Sequence, residues 1–360
     1  MPFTFSMKDT YRQAVEAASG GKQTVLYDDK GNPSIMNIIP RLTYKAVGLG
    51  TSESTLPAFL VKGETRPELF LGTYMAYVHD GRAYSLPGQV PKVYTTHDQA
   101  VAYCRAKGKG WHNVTNAEYA AIALWCKKND FYPRGNNNYG SDHSAPHETC
   151  RPGTVGSDGR INLGLTGSGP CSWTHDGTPS GIYGLNGDAY EWATGLRTVD
   201  GEIQIIPENN AALNDMDLSA NSVEWRAILE DGTLVAPGTE GTIKIQPTSA
   251  SDKKPKYVKT VTVTTTDGSD DYARSPFKDV AVDSGISQIP DIMKALALYP
   301  SDDSDHGGDY LYARNNGERC FYRGGYWGST AGAGVFYLNG SDPRSNSHDS
   351  FGFRPAYIIP

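Results

Sequence analysis

The sequence predicts an α+β fold with much irregular structure, and three observations support this class. Hydrophobic residues make up only 38% and charged residues 20% of the 360 residues, whereas glycine (40) and tyrosine (22) are abundant. Such a composition is typical of a loop-rich globular protein rather than a helical bundle. Short strand-like runs bounded by turn residues occur along most of the chain. Two segments in the first half also begin with complete helix-capping patterns.

The N-terminal residues 1–45 are predicted to form a small separate module. Asp9 or Thr10 can cap a helix that ends at Gly20, because glycine readily adopts the left-handed conformation found after helices. Residues 24–39 then contain two strand-like runs joined by a polar turn.

Residues 46–94 are predicted to be a β-rich lead-in to the main domain. Asp80-Gly81, between two aromatic runs, is a strong hairpin pattern because both residue types tolerate the backbone of tight turns. Glu230-Asp231-Gly232 is a second hairpin pattern, inside a main domain predicted to span residues 95–360.

Two helices are predicted at the start of this domain. Thr96 can cap a helix from His97 to Ala106. Thr115 and Glu118 have the spacing of a capping box at the start of a second helix, which runs to Lys127.

Residues 129–182 contain little regular pattern and are rich in Gly, Asn, Ser and Pro. Irregular segments of that length are usually functional or strongly packed. A short helix is expected over residues 289–298, with Pro290 tolerated in its first turn.

Bulk properties exclude several classes of partner. The net charge of -7 leaves no basic surface for nucleic acid. No run of eighteen apolar residues exists, so membrane insertion is not expected, and the first residues lack the pattern of a secretory signal peptide. The five cysteines are widely spaced without a CxxC, which favours reduced thiols: Cys104, Cys126, Cys150, Cys171 and Cys320.

Two segments have the composition of metal sites without the complete pattern. His143, His147 and Cys150 have zinc-ligand spacing but no evident fourth ligand. The acidic run 302–305 lacks the Gly and Glu of a calcium-binding EF-hand loop. We therefore predict neither a metal nor another cofactor.

Three ordered segments resemble the formylglycine-generating-enzyme branch of the C-type lectin fold. They are the helical segment 95–121, the run Gly184–Trp192, and Arg323-Gly324-Gly325-Tyr326-Trp327 with Gly352-Phe353-Arg354. The resemblance implies a C-type lectin fold over residues 95–360.

The enzymatic motifs of that family are incomplete in this chain. Its oxidases hold copper with a cysteine pair near the C-terminal end, where this chain has only Cys320. Another branch uses a His triad in an HxxxExH motif, which is absent here. The chain is therefore predicted not to be an enzyme, and a metal-dependent oxidase is kept as the alternative.

The C-terminal region, about residues 320–354, is more similar to the variable proteins of diversity-generating retroelements, including phage tropism determinants. Residues 328–347 match that family's pattern of small residues followed by Leu-Asn and Arg-Ser-Asn. The family mutates template adenines, which cannot produce Lys, Glu, Gln, Met or Trp from asparagine codons. Residues 328–351 contain none of those five.

The resemblance implies a receptor-binding protein with a hypervariable surface. The expected partner is a protein or glycan receptor on a bacterial surface. The expected location is a virion, at the tip of a tail fibre, with a bacterial surface-display protein as the alternative. Some relatives are trimers, so a homotrimer is expected, with residues 1–45 serving attachment or oligomerisation.

The variable region divides into frame and contact positions. Arg323 and Arg354 are expected in the frame, together with inward-facing Trp327, Phe336 and Phe353. Gly324, Gly325 and Gly352 are expected to adopt backbone conformations closed to other residues.

The contact positions fall between the frame residues and are expected to be exposed. Their mixture of Tyr, Ser, Gly and Asn is similar to that of antibody binding sites. Tyr326, Tyr337 and Phe351 are the expected centres of binding energy. The complete set is Tyr326, Gly328, Ser329, Thr330, Ala331, Ala333, Tyr337, Asn339, Ser341, Asp342, His348, Asp349, Ser350 and Phe351.

Overall fold

A computed structural model describes residues 9–360, and over that range the fold is mixed α+β and rich in sheet. The helices are α1 (Thr10–Ser19), α2 (His97–Arg105), α3 (Asn116–Lys128) and α4 (Asp291–Ala295). The strands are β1 (Gln23–Tyr27), β2 (Pro33–Pro40), β3 (Leu60–Val61), β4 (Glu64–Thr65), β5 (Glu68–Gly72), β6 (Tyr77–His79), β7 (Arg82–Tyr84), β8 (Trp111–Asn113), β9 (Tyr190–Val199), β10 (Glu202–Ile205), β11 (Arg226–Ile228), β12 (Leu234–Val235), β13 (Lys244–Pro247), β14 (Pro255–Val258), β15 (Ala273–Pro276), β16 (Ala281–Val282), β17 (Tyr310–Ala313), β18 (Glu318–Gly324), β19 (Gly334–Asp342), β20 (Phe351–Gly352) and β21 (Pro355–Tyr357).

The first sheet joins the two ends of the chain. Its strand order is β1-β2-β5-β21-β8, so the N-terminal hairpin is hydrogen-bonded, through β5, to the last strand. Met36 to Pro40 of β2 pair with Gly72 to Glu68 of β5. The predicted boundary at residue 45 is therefore not a break in the fold, because the described residues 9–45 share a sheet with strands from the rest of the chain. An attachment or oligomerisation role for them stays a prediction.

The local predictions in this N-terminal part are confirmed. Asp9 is the N-cap of α1, and its carboxylate accepts a hydrogen bond from the Arg12 amide at 3.0 Å. Gly20 ends the helix in the left-handed conformation. The predicted Asp80-Gly81 hairpin is also present, as β6 paired with β7.

Helices α2 and α3 begin as the capping patterns predict. The side chains of Thr96 and Thr115 each accept a hydrogen bond from the backbone amide of the third helical residue. The side chain of that third residue in turn accepts a hydrogen bond from the backbone amide of the threonine. Most of α3 is buried, so it forms a central support beneath the second sheet. Helix α4 is shorter than expected at both ends, because Pro290 is its extended N-cap and Ala297 has a positive φ of 46° that ends the helix.

In the described part of the chain, the second sheet has twelve strands and carries the region predicted to be variable, residues 320–354. Its main order is β15-β17-β19-β18-β9-β10-β13-β14-β16, with β11, β12 and β20 attached at the side. Leu311, Phe336 and Leu338 belong to the large core that also contains α3. Trp192 and Tyr322 belong to a separate aromatic cluster. Side chains alternate between the two faces of a strand, so β17, β18 and β19 bury one face and contribute aromatic rings to the other.

The long irregular segment predicted at 129–182 is present. Its regular structure is limited, in the described chain, to one short 3-10 turn at Cys171–Trp173. Polar side chains hold it together: the Glu148 carboxylate accepts bonds from Arg134, Ser172 and Trp173. Among residues 9–360, no helix is long and apolar enough to cross a membrane.

Candidate binding surface

The variable region is built on β19, which lies between β17 and β18. Tyr312 of β17 and Tyr322 of β18 both pair with Asn339 of β19. Tyr322 in turn pairs with Trp192 of β9. These four residues therefore form a row across the sheet.

Arg354 is a frame residue, as predicted, and it joins both sheets. Its guanidinium donates to both carboxylate oxygens of Glu191 on β9, at 2.7 and 2.8 Å. It also donates to the carbonyls of Gly72 on β5 and of Tyr183. Both charged side chains are buried. Burial raises the pKa of Glu191, and the Arg354 guanidinium opposes that shift.

Arg323 is equally buried but has a different environment. It donates to the side-chain oxygen of Asn116, at the start of α3, and to the carbonyls of Leu296 and Ala297. No carboxylate within residues 9–360 pairs with it, and its Nη1 atom has no hydrogen-bond partner there. Burial lowers the pKa of Arg323 to about 10. Arg323 is therefore a frame residue, as predicted, held by an amide side chain and two backbone carbonyls.

Glycine is favoured at the three frame positions for two different reasons. Gly324 and Gly325 have φ of 87° and 84°, as expected for positions that favour glycine. The expectation is wrong for Gly352, which lies in strand β20 without a positive φ. A side chain there would press on the Lys92 carbonyl and on Met75, both 3.1 Å from its Cβ, so close packing is what favours glycine.

The inward-facing frame residues Trp327, Phe336 and Phe353 are buried, which confirms that prediction. The expectation of an exposed contact set is wrong for six of its members, all of which are buried: Ala333, Tyr337, Asn339, Ser341, Ser350 and Phe351.

Two of these six were expected to be centres of binding energy, and their neighbours explain why they are buried. Tyr337 is 2% exposed because it lies on the middle strand, beneath the rings of Tyr190 and Tyr312 at 5.7 and 5.5 Å. Its hydroxyl accepts a hydrogen bond from Asn339. Phe351 is covered by Trp192 at 4.9 Å, since β20 pairs alongside β9.

The remaining eight contact positions are at least partly exposed and lie mainly in two loops and at the end of β19: Tyr326, Gly328, Ser329, Thr330, Ala331, Asp342, His348 and Asp349. This agrees with the prediction of exposure for these eight, and their role in ligand binding stays a prediction.

Buried partners anchor the loop at residues 325–333. The Trp327 amide donates to the carbonyl of Asp188 at 3.2 Å, and the Thr330 amide donates to Asn137. The Ser329 hydroxyl accepts from the Tyr326 amide and closes the turn. The loop therefore has a fixed base below its exposed side chains.

The loop at residues 343–350 is anchored through Arg344. Its guanidinium binds both carboxylate oxygens of Glu318 at 2.7 and 2.8 Å, and Asp98 of α2 at 2.7 Å. These side-chain bonds raise the pKa of Arg344 against the opposing effect of its burial. Ser345, Ser347 and His348 project from this base and are exposed.

A patch of tyrosines adjoins the predicted contact surface, and most of its members lie before residue 320 in the sequence. We call Tyr190, Tyr272, Tyr310, Tyr312 and Tyr326 the tyrosine patch, because all five are partly exposed and connected through rings. The ring of Tyr312 lies 5.7 Å from Tyr272 and 6.0 Å from Tyr310, and that of Tyr190 lies 5.0 Å from Tyr326. Buried Tyr337 links the two halves.

Sequence reasoning missed four members of this patch, Tyr190, Tyr272, Tyr310 and Tyr312. One pattern could have found two of them. In Tyr310-Leu311-Tyr312-Ala313 the tyrosines alternate with small or apolar residues, and the structure buries Leu311 and Ala313 while leaving both tyrosines partly exposed. Period-two alternation of this kind is typical of a strand with one outward face.

The thiols and possible metal ligands bear on the alternative enzymatic function. Cys320 is buried inside the aromatic cluster, and burial raises its pKa to about 12, which disfavours the reactive thiolate. Within residues 9–360, no three His, Cys, Asp or Glu side chains converge as a metal site would require.

Comparisons with known proteins do not assign this chain to a family. No protein-family model matches the chain, and no curated protein matches it. Among solved structures, one described as the structure of PvdO from Pseudomonas aeruginosa aligns with 93% of this chain and 98% of that one, at 14% identity and a TM-score of 0.36. A likeness of that size carries no argument about function. The class that the structure itself defines is a mixed α+β, sheet-rich protein.

Proposed function

We propose that this protein binds a receptor through the tyrosine patch and the two adjoining loops. The observation that carries the proposal is the patch itself, five ring-connected and partly exposed tyrosines next to replaceable loop positions. Tyrosine supplies large contact area at low cost in conformational entropy, and its hydroxyl adds hydrogen bonds. The surface thus has the chemistry of recognition.

In finer terms, we propose a C-type lectin frame of the formylglycine-generating-enzyme branch and membership of the retroelement variable proteins. The supporting features are the buried Arg323 and Arg354 and the two loops that have fixed bases and exposed side chains. A frame of this kind allows six of the eight partly exposed positions to change without loss of core contacts. Ser329 and Asp342 are the exceptions, because they accept hydrogen bonds from the Tyr326 amide and from the buried Tyr322 hydroxyl.

The proposed partner is a protein or glycan receptor on a bacterial surface, and the proposed location is a phage tail fibre tip. A bacterial cell-surface location is the alternative. A homotrimer is proposed because several copies of a weak site bind with higher effective strength when they are linked. Light scattering of the purified full chain tests this assembly, and a monomer would contradict it.

The binding proposal is tested with fluorescently labelled full-length protein on a panel of bacterial strains. Binding by the wild type should be lost in the Tyr312→Ser/Tyr326→Ser double variant. Tyr11→Ser is the matched control, because Tyr11 is 41% exposed on α1, outside the tyrosine patch. Equal binding by the wild type and the double variant would contradict the proposal.

Two pretreatments of the cells identify the class of receptor. Periodate oxidation should remove a glycan receptor, whereas protease treatment should remove a protein receptor.

A genomic observation tests the finer proposal: a reverse transcriptase gene nearby, with a near-copy of the sequence that encodes residues 320–354, altered only at adenines.

A further inference from the structure

A cleft opens beside the tyrosine patch and shares Tyr310 with it. It has a volume of about 380 Å³ and lies between the irregular segment near Tyr132 and the start of β19. Tyr132 and Tyr310 supply aromatic surface, and the exposed Ala331 lies on its lining. Asp309 supplies a carboxylate.

The Asp309 carboxylate is buried and only partly satisfied by the protein. The residue is 3% exposed, and its Oδ2 atom accepts a hydrogen bond from the Phe336 amide at 2.6 Å. The Tyr337 amide also lies close to the carboxylate. Within the described chain, no side chain donates a hydrogen bond to its Oδ1 atom, although Asp309 lines the cleft.

Two glycines allow the backbone to approach this carboxylate closely. A Cβ at Gly334 would lie 2.1 Å from Oδ1, and one at Gly307 would lie 3.0 Å from both Oδ1 and the ring of Tyr132. Both glycines also have positive φ, of 154° and 79°. Both the space and the backbone conformation at these two positions therefore favour glycine.

The charged groups nearby are committed to other partners. Lys278 pairs with Asp305 at 3.0 Å, and Arg134 pairs with Glu148. Asp142 on the opposite wall accepts bonds within its own loop, from the amide and hydroxyl of Ser144 among others. Burial first, and then the charge of Asp305, raises the pKa of Asp309 well above its usual value, and a cation bound beside the carboxyl would oppose that shift and favour the ionised form.

We propose that this cleft binds a primary ammonium group, presented as a lysine side chain by the partner. A buried carboxylate that receives backbone bonds but, within the described chain, no side-chain bond, and that lies beside aromatic rings, is suited to an ammonium, which gains from both the charge and the ring faces. The identity of the partner as a lysine-bearing receptor rests on the proposed function, whereas the binding chemistry of the cleft does not.

Two other cations fit the cleft less well. A divalent metal needs several oxygen or nitrogen ligands, and no three metal-ligating side chains converge within residues 9–360. An arginine side chain is best matched by a carboxylate with both oxygens available, and here Phe336 already occupies one.

The probe for this site is lysine blocked at both backbone ends, titrated into the isotope-labelled full chain at pH 8 and followed by NMR. Its Nε-acetylated form is the neutral control. The charged probe should shift resonances around Asp309 and Tyr310 in a saturable way, and the acetylated probe should not. Equal shifts with both probes would overturn the proposal.

The key variant is Asp309→Asn, which keeps an acceptor for the Phe336 amide and removes the charge. It should weaken binding of the charged probe by about tenfold or more, the effect expected for loss of a charge-assisted bond. Asp305→Asn removes an exposed neighbouring charge and should bind within about twofold of the wild type, since exposed charges are well screened. Unchanged binding by Asp309→Asn would contradict the proposal.

A second variant covers the case in which Asp309→Asn does not fold. Ala331→Trp places a large ring at the exposed side of the cleft and should block the probe without disturbing the core. Probe binding should survive in Tyr312→Ser/Tyr326→Ser, the variant that tests the receptor surface. Failure of the ammonium site and failure of the receptor surface are thus separate outcomes.

Discussion

Strand β19 and the loop that precedes it belong to the same stretch of sequence that is predicted to be variable, yet they differ in what their side chains contact. On β19, Tyr337 and Asn339 bond to each other beneath rings from neighbouring strands. In the 325–333 loop, backbone groups make the anchoring contacts, which leaves Thr330 and Ala331 exposed. A position between two frame motifs is therefore not exposed for that reason alone. We therefore expect residues whose side chains hold the structure to resist substitution, and residues held only through their backbone to tolerate it.

The largest effect is expected at the buried ion pair between Arg354 and Glu191, which links the two sheets. Arg354→Met would leave Glu191 buried without its partner, and breaking such a pair costs about 3–5 kcal/mol of the free energy of unfolding. Urea denaturation measures this loss. The Arg354→Met/Glu191→Leu double variant is the control and should recover part of it, because no unpaired charge remains. A loss below about 1 kcal/mol in the single variant would mean that the pair is not part of the frame.

The next effect separates β19 from the loops directly. Tyr337→Ala removes a fully covered ring and should cost about 3 kcal/mol of unfolding free energy, as large-to-small changes in a core do. Tyr312→Ser, at the partly exposed neighbour, should cost about 1 kcal/mol or less. Thermal and urea denaturation compare the two. Equal losses would remove the distinction between a buried strand and an exposed patch.

A smaller effect concerns the base of the 325–333 loop. Asp188 is buried, and its carboxylate accepts bonds from the Gly164 amide and from Asn136. Burial raises the pKa of Asp188 to about 6. The folded state therefore favours the protonated form. The stability that this gives is complete below the ordinary pKa near 4 and is lost as the pH rises through about 6.

Asp188→Asn tests that sign, because an amide fits the same two donors without a charge. At pH 7.5 the variant should be more stable than the wild type by about 3 kcal/mol, and most of the difference should disappear near pH 4. Urea denaturation across this pH range is the measurement. A variant that is less stable at pH 7.5 would show that the ionised carboxylate supports the loop.

Local features of this fold could be predicted from the sequence, because their causes lie within a few residues. Asp9, Thr96 and Thr115 cap their helices through bonds to the next turn. The inward position of Trp327 and the buried Arg354 followed from motifs. By contrast, the pairing of β5 with the C-terminal strand β21 joins residues almost three hundred positions apart, and no local pattern encodes it.

The candidate surface was predicted only in part, for a related reason. Tyr337 is covered by Tyr190, which lies far away in the sequence, so spacing between motifs could not reveal its burial. Tyr272 joins the patch only because β15 pairs with β17. The loops were easier to predict, since small and polar residues without alternation indicate exposure.

The central claim is that the exposed loop positions can be replaced and that they bind the ligand. Two libraries of equal size test it most directly, one randomised at the partly exposed positions Tyr326, Gly328, Thr330, Ala331, His348 and Asp349, the other at the buried positions Ala333, Tyr337, Asn339, Ser341, Ser350 and Phe351. Each library is sorted first for folded, displayed protein and then for binding to the cells that the wild type binds. The fraction that passes each sort is the measurement. We expect most members of the first library to fold with altered or lost binding, and few members of the second to fold. Equal folding in both libraries, or unaltered binding across the first, would contradict the account.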